Sequence, residues 1–213
     1  VNLRKEWVKH TEDVNRPYRI LLWKRGYSAG RKDPTKVTRT IENFDDLLAM
    51  LEAIPNVEVS IFSGSKKTLK QQITRLLSVD LLIKVHGSGS LNALWMRPNS
   101  AFIQIFIKDS WYAHRFTYRN VSAAIDVRYF SHNSQVTPWK TSEYRCAAQS
   151  LEACLNMHYP EGYEPCCNSY RIEHNIVVNI EKMKELVKLA MDESYYPTCI
   201  MMDGKSQVHH HCE

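Results

Sequence analysis

The sequence predicts an α/β fold built around a parallel β-sheet. Short apolar runs recur between residues 20 and 130, and segments with helical spacing separate them. Strands that are buried on both faces are near-continuous apolar runs, and a helix between successive strands is the connection that parallel pairing requires. The two features together indicate repeated βαβ units.

The elements follow one another in a regular order. Strands are predicted at Ile20–Trp23, Val57–Phe62, Leu81–Val85, Ala101–Ile107 and Ile125–Phe130. Helices are predicted at Phe44–Ala53, Thr68–Ser78 and Trp111–Ala124, with a short helix after the glycine-containing turn that follows the third strand. In the first helix Leu47, Leu48 and Leu51 share one face. Pro55-Asn56 and Pro98-Asn99 mark turns before strands.

The region after residue 130 has a different composition, with all six cysteines, several prolines and few strand signals. Helices are predicted at Ser142–Met157 and Ile180–Glu193, and an apolar stripe on the second is expected to pack against the sheet. The stripe consists of Met183, Leu186, Val187 and Ala190. The expected domain boundaries are a Rossmann-like core at 1–130, a Cys-containing helical extension packed on that core at 131–202, and a disordered tail at 203–213.

Length and composition narrow the class of protein. The chain has 213 residues, which suits one domain or a domain and a half, with 44% hydrophobic and 24% charged residues. The formal net charge is +5, and the Lys and Arg residues are spread along the chain. This distribution favours a solvated surface or a pocket for an anion, and a nucleic-acid partner is not expected. There is no apolar run of ~18 residues and no signal peptide. Because the chain begins with Val1, it is expected to be a piece of a longer protein.

The six cysteines lie in the last third of the chain. Cys146 and Cys154 are separated by roughly 12 Å of predicted helix, so they cannot bond to each other. Cys166, Cys167 and Cys199 are candidate partners, and spacing does not choose among the pairings. Clustered cysteines favour an oxidising compartment over buried free thiols. The glycosylation sequon at Asn120–Ser122 agrees with this.

The candidate ligand site is the stretch 80–98, where a strand, a turn at His86–Gly89 and a short helix follow each other. This arrangement directs a helix N-terminus at the carboxyl end of a strand, where phosphate groups bind. Cations and polar groups are expected at the same edge: Lys24, Arg25, Arg39, Lys108 and Asp109. Such a set suits a diphosphate. The alternatives are that the cations are ordinary surface residues, that the glycines only shape the turn, and that His86 is a structural hydrogen-bonding group.

Metal-binding and P-loop motifs are scarce. No Asp-x-Asp pair occurs, so a metal-chelating diphosphate site of that kind is not encoded. The cluster His209–Cys212 offers zinc or nickel ligands but is interpreted as part of a solvated tail. There is no Walker loop.

The order of these motifs resembles glycosyltransferase family 61, which includes protein GlcNAc-transferases and plant xylan arabinosyl- and xylosyltransferases. The resemblance extends from Tyr18 to Glu193. The matching elements are Ile20–Arg25, the Arg39-Thr-Ile-Glu-Asn43 segment, Gln72 eight residues before Asp80, His86-Gly-Ser-Gly89, and Pro98 with Ala101–Phe106. Together they are considerably more specific than any one of them.

The resemblance implies a GT-B enzyme of which this chain is the C-terminal, Rossmann-like half, with the N-terminal half absent. It implies an inverting, metal-independent transferase without cofactors that moves GlcNAc or a pentose from a UDP-sugar to a protein or polysaccharide hydroxyl. It further implies the lumen of the Golgi or endoplasmic reticulum, with any membrane anchor outside this fragment. The sugar, the acceptor, the general base and the oligomeric state remain unidentified.

The resemblance also implies which residues bind the nucleotide sugar: Arg25, Arg39, His86, Gly87, Ser88, Gly89, Ser90 and Gln104. Arg25, His86 and the turn amides would hold the diphosphate, and Arg39 would help to position it. Gln104 replaces a family Glu, and would accept hydrogen bonds from the ribose if that Glu does. Ser88 replaces Ala, and Ser90-Leu91 replaces Leu-Thr. The departures at Gln104 and Ser90 favour one alternative, a weakened or non-catalytic nucleotide- or partner-binding module. A third alternative is a different α/β domain whose glycine turn is purely structural.

Overall fold

A computed structural model describes residues 16–24, 40–63, 67–107, 112–136, 175–195, 201–202 and 208–209. Its strands are β1 (Tyr18–Trp23), β2 (Val57–Phe62), β3 (Leu81–Val85), β4 (Ala101–Ile107), β5 (Arg128–Val136), β6 (Ile176–Val177), β7 (Met201–Met202) and β8 (Val208–His209). Its helices are α1 (Phe44–Glu52), α2 (Leu69–Leu77), a 3₁₀ helix (Ser88–Trp95), α3 (Tyr112–Ala123) and α4 (Ile180–Met191). No described helix is long and apolar enough to cross a membrane.

The described strands form one sheet in the order β2-β1-β3-β4-β5-β7-β8, with β6 pairing with β5. The first five strands are parallel to one another, which confirms the predicted parallel α/β sheet. The short strands β6 and β8 are antiparallel to their neighbours. The fold is Rossmann-like, with helices on both faces of the sheet.

Two apolar clusters hold the helices against the sheet. On one face, the buried side chains of α1 and α4 pack with alternate residues of the central strands, including Ile20, Ile83 and Ile103. On the other face, Leu76 of α2 and Ala93 of the 3₁₀ helix pack with the intervening strand residues. The predicted α4 stripe, Met183, Leu186, Val187 and Ala190, is entirely buried. Burial of this stripe ties residues 180–191 to the core formed by the parallel strands.

Polar groups define where several helices begin and end. The Thr68 hydroxyl and the Gln71 side chain form a capping box at the start of α2. The Asn179 side chain accepts a hydrogen bond from the Lys182 amide at the start of α4. At the other end of α4, the buried Arg128 guanidinium donates to the carbonyls of Ala190 and Asp192 at 2.9 and 2.6 Å. A cation at this position also complements the helix dipole.

The strand predicted at Ile125–Phe130 is wrong in its bounds. Residues 124–126 form a turn in which Asp126 has a φ of 56°, and β5 instead covers Arg128–Val136. The continuation contains Ser131, His132 and Ser134, which are buried although polar. These residues interrupt the apolar run that identified the other strands. The boundary predicted at residue 130 therefore falls inside β5.

Other predictions fall partly or wholly outside the described residues. The helix predicted at 142–157 and all six cysteines lie outside them. Within the tail predicted to be disordered, Val208 and His209 pair with Met202 and Met201 as strand β8. The sequon lies in α3, where Asn120 is exposed and Ser122 is buried.

Candidate functional site

The candidate site lies at the point where the sheet changes its direction of growth. The chain forms β2 on one side of β1 and then crosses over to form β3 on the other side. In open α/β sheets, ligands bind in the crevice outside the carboxyl ends of the strands at such a point. Lys24 follows β1 there, and His86 follows β3.

The turn after β3 is anchored from several sides. The His86 amide donates to the Ile105 carbonyl at 2.8 Å, which ties the turn to β4. The Ser90 amide donates to the Gly87 carbonyl at 2.8 Å and starts the 3₁₀ helix. The Tyr118 hydroxyl of α3 donates to the same carbonyl at 3.1 Å. The predicted strand–turn–helix arrangement is therefore present, with a 3₁₀ helix beginning at Ser88.

The His86 ring is enclosed by aromatic side chains. Its plane stacks on Phe106 with ring centroids 4.8 Å apart, and Tyr118 approaches edge-on at 5.5 Å. The ring nitrogen Nδ1 lies 2.9 Å from Nε2 of Gln104. These contacts fix the orientation of an imidazole at the end of β3.

Gln104 lies beneath the turn and is fully buried. Its Nε2 lies 3.0 Å from Ser90 Oγ in addition to its contact with His86, and its Oε1 lies 2.6 Å from the Tyr129 hydroxyl. Both ends of the amide thus have protein partners. The ribose contact that the resemblance implies for Gln104 would require this arrangement to open.

Lys84 is a cation of the site that the sequence interpretation did not single out. In register it lies opposite Trp23 on β1 and Gln104 on β4. Its ammonium lies 4.3 Å from the centre of the Trp23 ring. A Cβ atom added to Gly89 would lie only 2.8 Å from the same ammonium, so the lysine passes directly under the turn. The signal was a lysine within the otherwise apolar run of β3.

Lys24, predicted from the sequence to belong to the site, and the motif segment Ile41–Asn43 have contacts at the same edge of the sheet. The Lys24 ammonium lies 4.8 Å from the Phe44 ring at the start of α1. Ile41 forms a bridge with Ile176, and the Asn43 amide bonds both the N–H and the carbonyl of Val178. The segment that follows Arg39 is thereby attached to the sheet. Arg25, Arg39, Lys108 and Asp109 themselves lie outside the described residues.

Other motif residues have structural positions. Gln72 accepts a hydrogen bond from the Asn92 side chain at 3.0 Å and so joins α2 to the 3₁₀ helix. Asp80 lies at the opposite, amino end of the strands, where it accepts from both terminal nitrogens of Arg16 at 2.6 and 2.7 Å. The Arg19 amide and Arg97 also donate to it.

At Asp80 the neighbouring arginines outweigh the effect of burial on the pKa. Burial alone would raise the pKa of its carboxyl, but hydrogen bonds from Arg16 and the Arg19 amide, with the charges of Arg16 and Arg97, bring that pKa below its usual value. A cavity of about 390 Å³ opens beside this cluster. Its lining includes Tyr18 and Asn99, both at the amino edge of the sheet. The cavity is therefore separate from the turn at His86.

The structure thus brings His86, Gly87, Ser88, Gly89, Ser90 and Gln104 together. It adds Lys84, Tyr118 and Tyr129 to them, none of which the motif pattern indicated. Tyr118 and Tyr129 could not be found from the sequence, because α3 and β5 are distant along the chain from the His86–Gly89 turn.

The comparison with protein families agrees with the resemblance. Residues 2–103 match the family described as "Glycosyltransferase 61". The matched stretch contains β1 to β3, the His86–Gly89 turn and the start of β4. No match is found among curated proteins.

Proposed function

We propose that this chain, whose residues 2–103 match the glycosyltransferase 61 family, is the sugar-nucleotide-binding half of an inverting, metal-independent glycosyltransferase. In this proposal the whole enzyme transfers GlcNAc or a pentose from a UDP-sugar to a protein or polysaccharide hydroxyl. The observation that carries it is the position of the His86–Gly89 turn, which follows β3 at the switch point beside the end of β1.

The chemistry of this edge suits a departing diphosphate. Glycosyl transfer from a UDP-sugar leaves negative charge on the diphosphate as the bond to the sugar breaks. Preorganised N–H groups and cations directed at that developing charge lower the barrier most. The groups in the described structure that can serve this purpose are the backbone amides of Gly87–Gly89, the His86 ring, Lys84 and Lys24. The resemblance adds Arg25 and Arg39.

The rest of the proposal extends beyond this chain. A GT-B partner half would supply the opposite wall of the cleft, the acceptor site and the general base. Isolated 1–213 is therefore expected to bind UDP but to transfer sugar poorly. The family relationship favours the lumen of the secretory pathway as the location, and metal independence rests on the resemblance and on the lack of an Asp-x-Asp pair.

A second candidate function is a non-catalytic module that binds a nucleotide or a protein partner. The specific observation in its favour is Gln104, which replaces a family Glu and whose amide is bonded at both ends within the protein. A full-length protein that turns over a UDP-sugar would exclude this alternative.

Calorimetric titration with UDP in the presence of EDTA tests the proposal. Wild-type protein should bind, and His86→Ala and Arg25→Ala should each weaken binding by about tenfold or more, as the loss of a charge-assisted contact predicts. Lys184→Ala is the matched control, since Lys184 is exposed on α4. Absence of binding by folded wild-type protein would contradict the proposal and favour a non-catalytic module that binds a protein partner.

A further inference from the structure

The contacts of Gln104 distinguish its two amide ends. Its Oε1 lies 2.6 Å from the Tyr129 hydroxyl, which is a typical separation for O–H···O and short for N–H···O. Its other end lies 2.9 Å from His86 Nδ1 and 3.0 Å from Ser90 Oγ, which are typical separations for an N–H donor. Tyr129 therefore donates to Oε1, and the two N–H groups of Gln104 point to His86 and Ser90.

This orientation determines the protonation of the imidazole. An amide N–H can only donate, so Nδ1 of His86 has to accept and cannot carry a proton. In a neutral ring the proton then lies on Nε2. We infer that Gln104 is a positioning residue that holds His86 in the Nε2–H tautomer, as a hydrogen-bond donor and not as a general base.

The inference deepens the proposed function and rests on it for the ligand: the diphosphate would receive the Nε2–H hydrogen bond. A glutamate at position 104 would act in the opposite sense. Its carboxylate accepts and does not donate, so it would place a proton on Nδ1. The Gln in this chain therefore makes His86 a neutral donor, whereas a Glu would favour a doubly protonated, cationic ring.

The tautomer can be observed directly in the unliganded full chain. Long-range ¹H–¹⁵N spectra of the histidine rings distinguish protonated from unprotonated nitrogens, and His86→Ala identifies the signal. At about pH 8, where an ordinary imidazole is neutral, wild-type His86 should show an unprotonated Nδ1 and a protonated Nε2. Gln104→Glu should move a proton to Nδ1.

Matched variants separate this role from a merely structural one. Gln71→Glu makes the same charge change at an exposed capping-box position, where Glu serves equally well, and should leave the His86 spectrum unchanged. Tyr129→Phe removes the donor to Oε1, so the amide can reverse and both tautomers should be seen. This milder variant keeps the test valid if the buried carboxylate of Gln104→Glu prevents folding.

The outcomes also separate this inference from the proposed function. A wild-type His86 with a protonated Nδ1 and a bare Nε2 would overturn the inference even if UDP binds, because it would mean that the amide is reversed. An Nε2–H tautomer in a protein that does not bind UDP would leave the inference intact and contradict the proposed function. Equal spectra for wild type and both Gln104→Glu and Tyr129→Phe would also overturn the inference.

Discussion

Because a histidine is buried on β5, we expect the free energy of unfolding to decrease in mild acid. His132 is 1% exposed, and its Nε2 has no hydrogen-bond partner among the described residues. It lies opposite Ile105 in the register with β4, on the face of the sheet that α4 covers. Burial, with a smaller contribution from the charge of Lys182, lowers the pKa of His132 from 6.5 to about 4.

The size and sign of the effect follow from this pKa. Each pKa unit corresponds to about 1.4 kcal/mol, so the difference between 6.5 and about 4 amounts to roughly 3 kcal/mol. Because the folded pKa is the lower one, the unfolded chain takes up the proton first. The stabilisation is complete above pH 6.5, decreases as the pH falls towards about 4, and is absent below that. This is a large part of the ~5–15 kcal/mol typical of a domain.

Urea unfolding of wild type and His132→Leu between about pH 7.5 and about pH 4.5 measures the effect. The free energy of unfolding of the wild type should fall more steeply with decreasing pH than that of the variant. Lys182→Met should give an intermediate slope, because it removes the neighbouring charge but not the burial. Comparing slopes cancels the contributions of carboxyl groups. Equal slopes for wild type and His132→Leu would refute the reasoning.

Three further predictions concern single side chains. Asp80→Asn should destabilise the protein by about 2–3 kcal/mol in urea unfolding, because it leaves Arg16 and Arg97 without their carboxylate, and should leave UDP affinity unchanged. Lys84→Met should preserve the midpoint of thermal unfolding within a few degrees but weaken UDP binding by about tenfold in calorimetry; equal affinity would remove Lys84 from the site. Thr68→Ala should cost about 1 kcal/mol in urea unfolding through loss of the α2 cap; a change in UDP binding there would be unexpected.

The sequence predicts most of the parallel core because local and tertiary signals agree there. Val57–Phe62 and Leu81–Val85 match β2 and β3 residue for residue, and α1 and α2 agree within one or two residues at each end. Each strand is an apolar run between turn residues, and each helix has an apolar stripe. The order of the strands is a property of the tertiary fold that no local pattern contains.

The sequence is less informative where polar residues are buried. Ser131, His132 and Ser134 conceal the second half of β5, because a strand pattern that relies on apolar residues stops at the first of them. Gln104 is likewise unremarkable within an apolar strand, and its contact with Tyr129 depends on the pairing of β4 with β5. The expectation of a ligand contact came from the resemblance. The bonded amide supports the inferred role of Gln104 in positioning His86.

The central claim is that a nucleotide diphosphate binds at the carboxyl edge of the sheet without a metal. Amide ¹H–¹⁵N spectra recorded during addition of UDP in EDTA test it most directly. The claim predicts the largest shifts at Gly87–Ser90 and at Lys24, with little change at Asn99 and Ser100, which line the cavity at the amino edge. Shifts confined to Asn99 and Ser100, or an unchanged spectrum at saturating UDP, would contradict it.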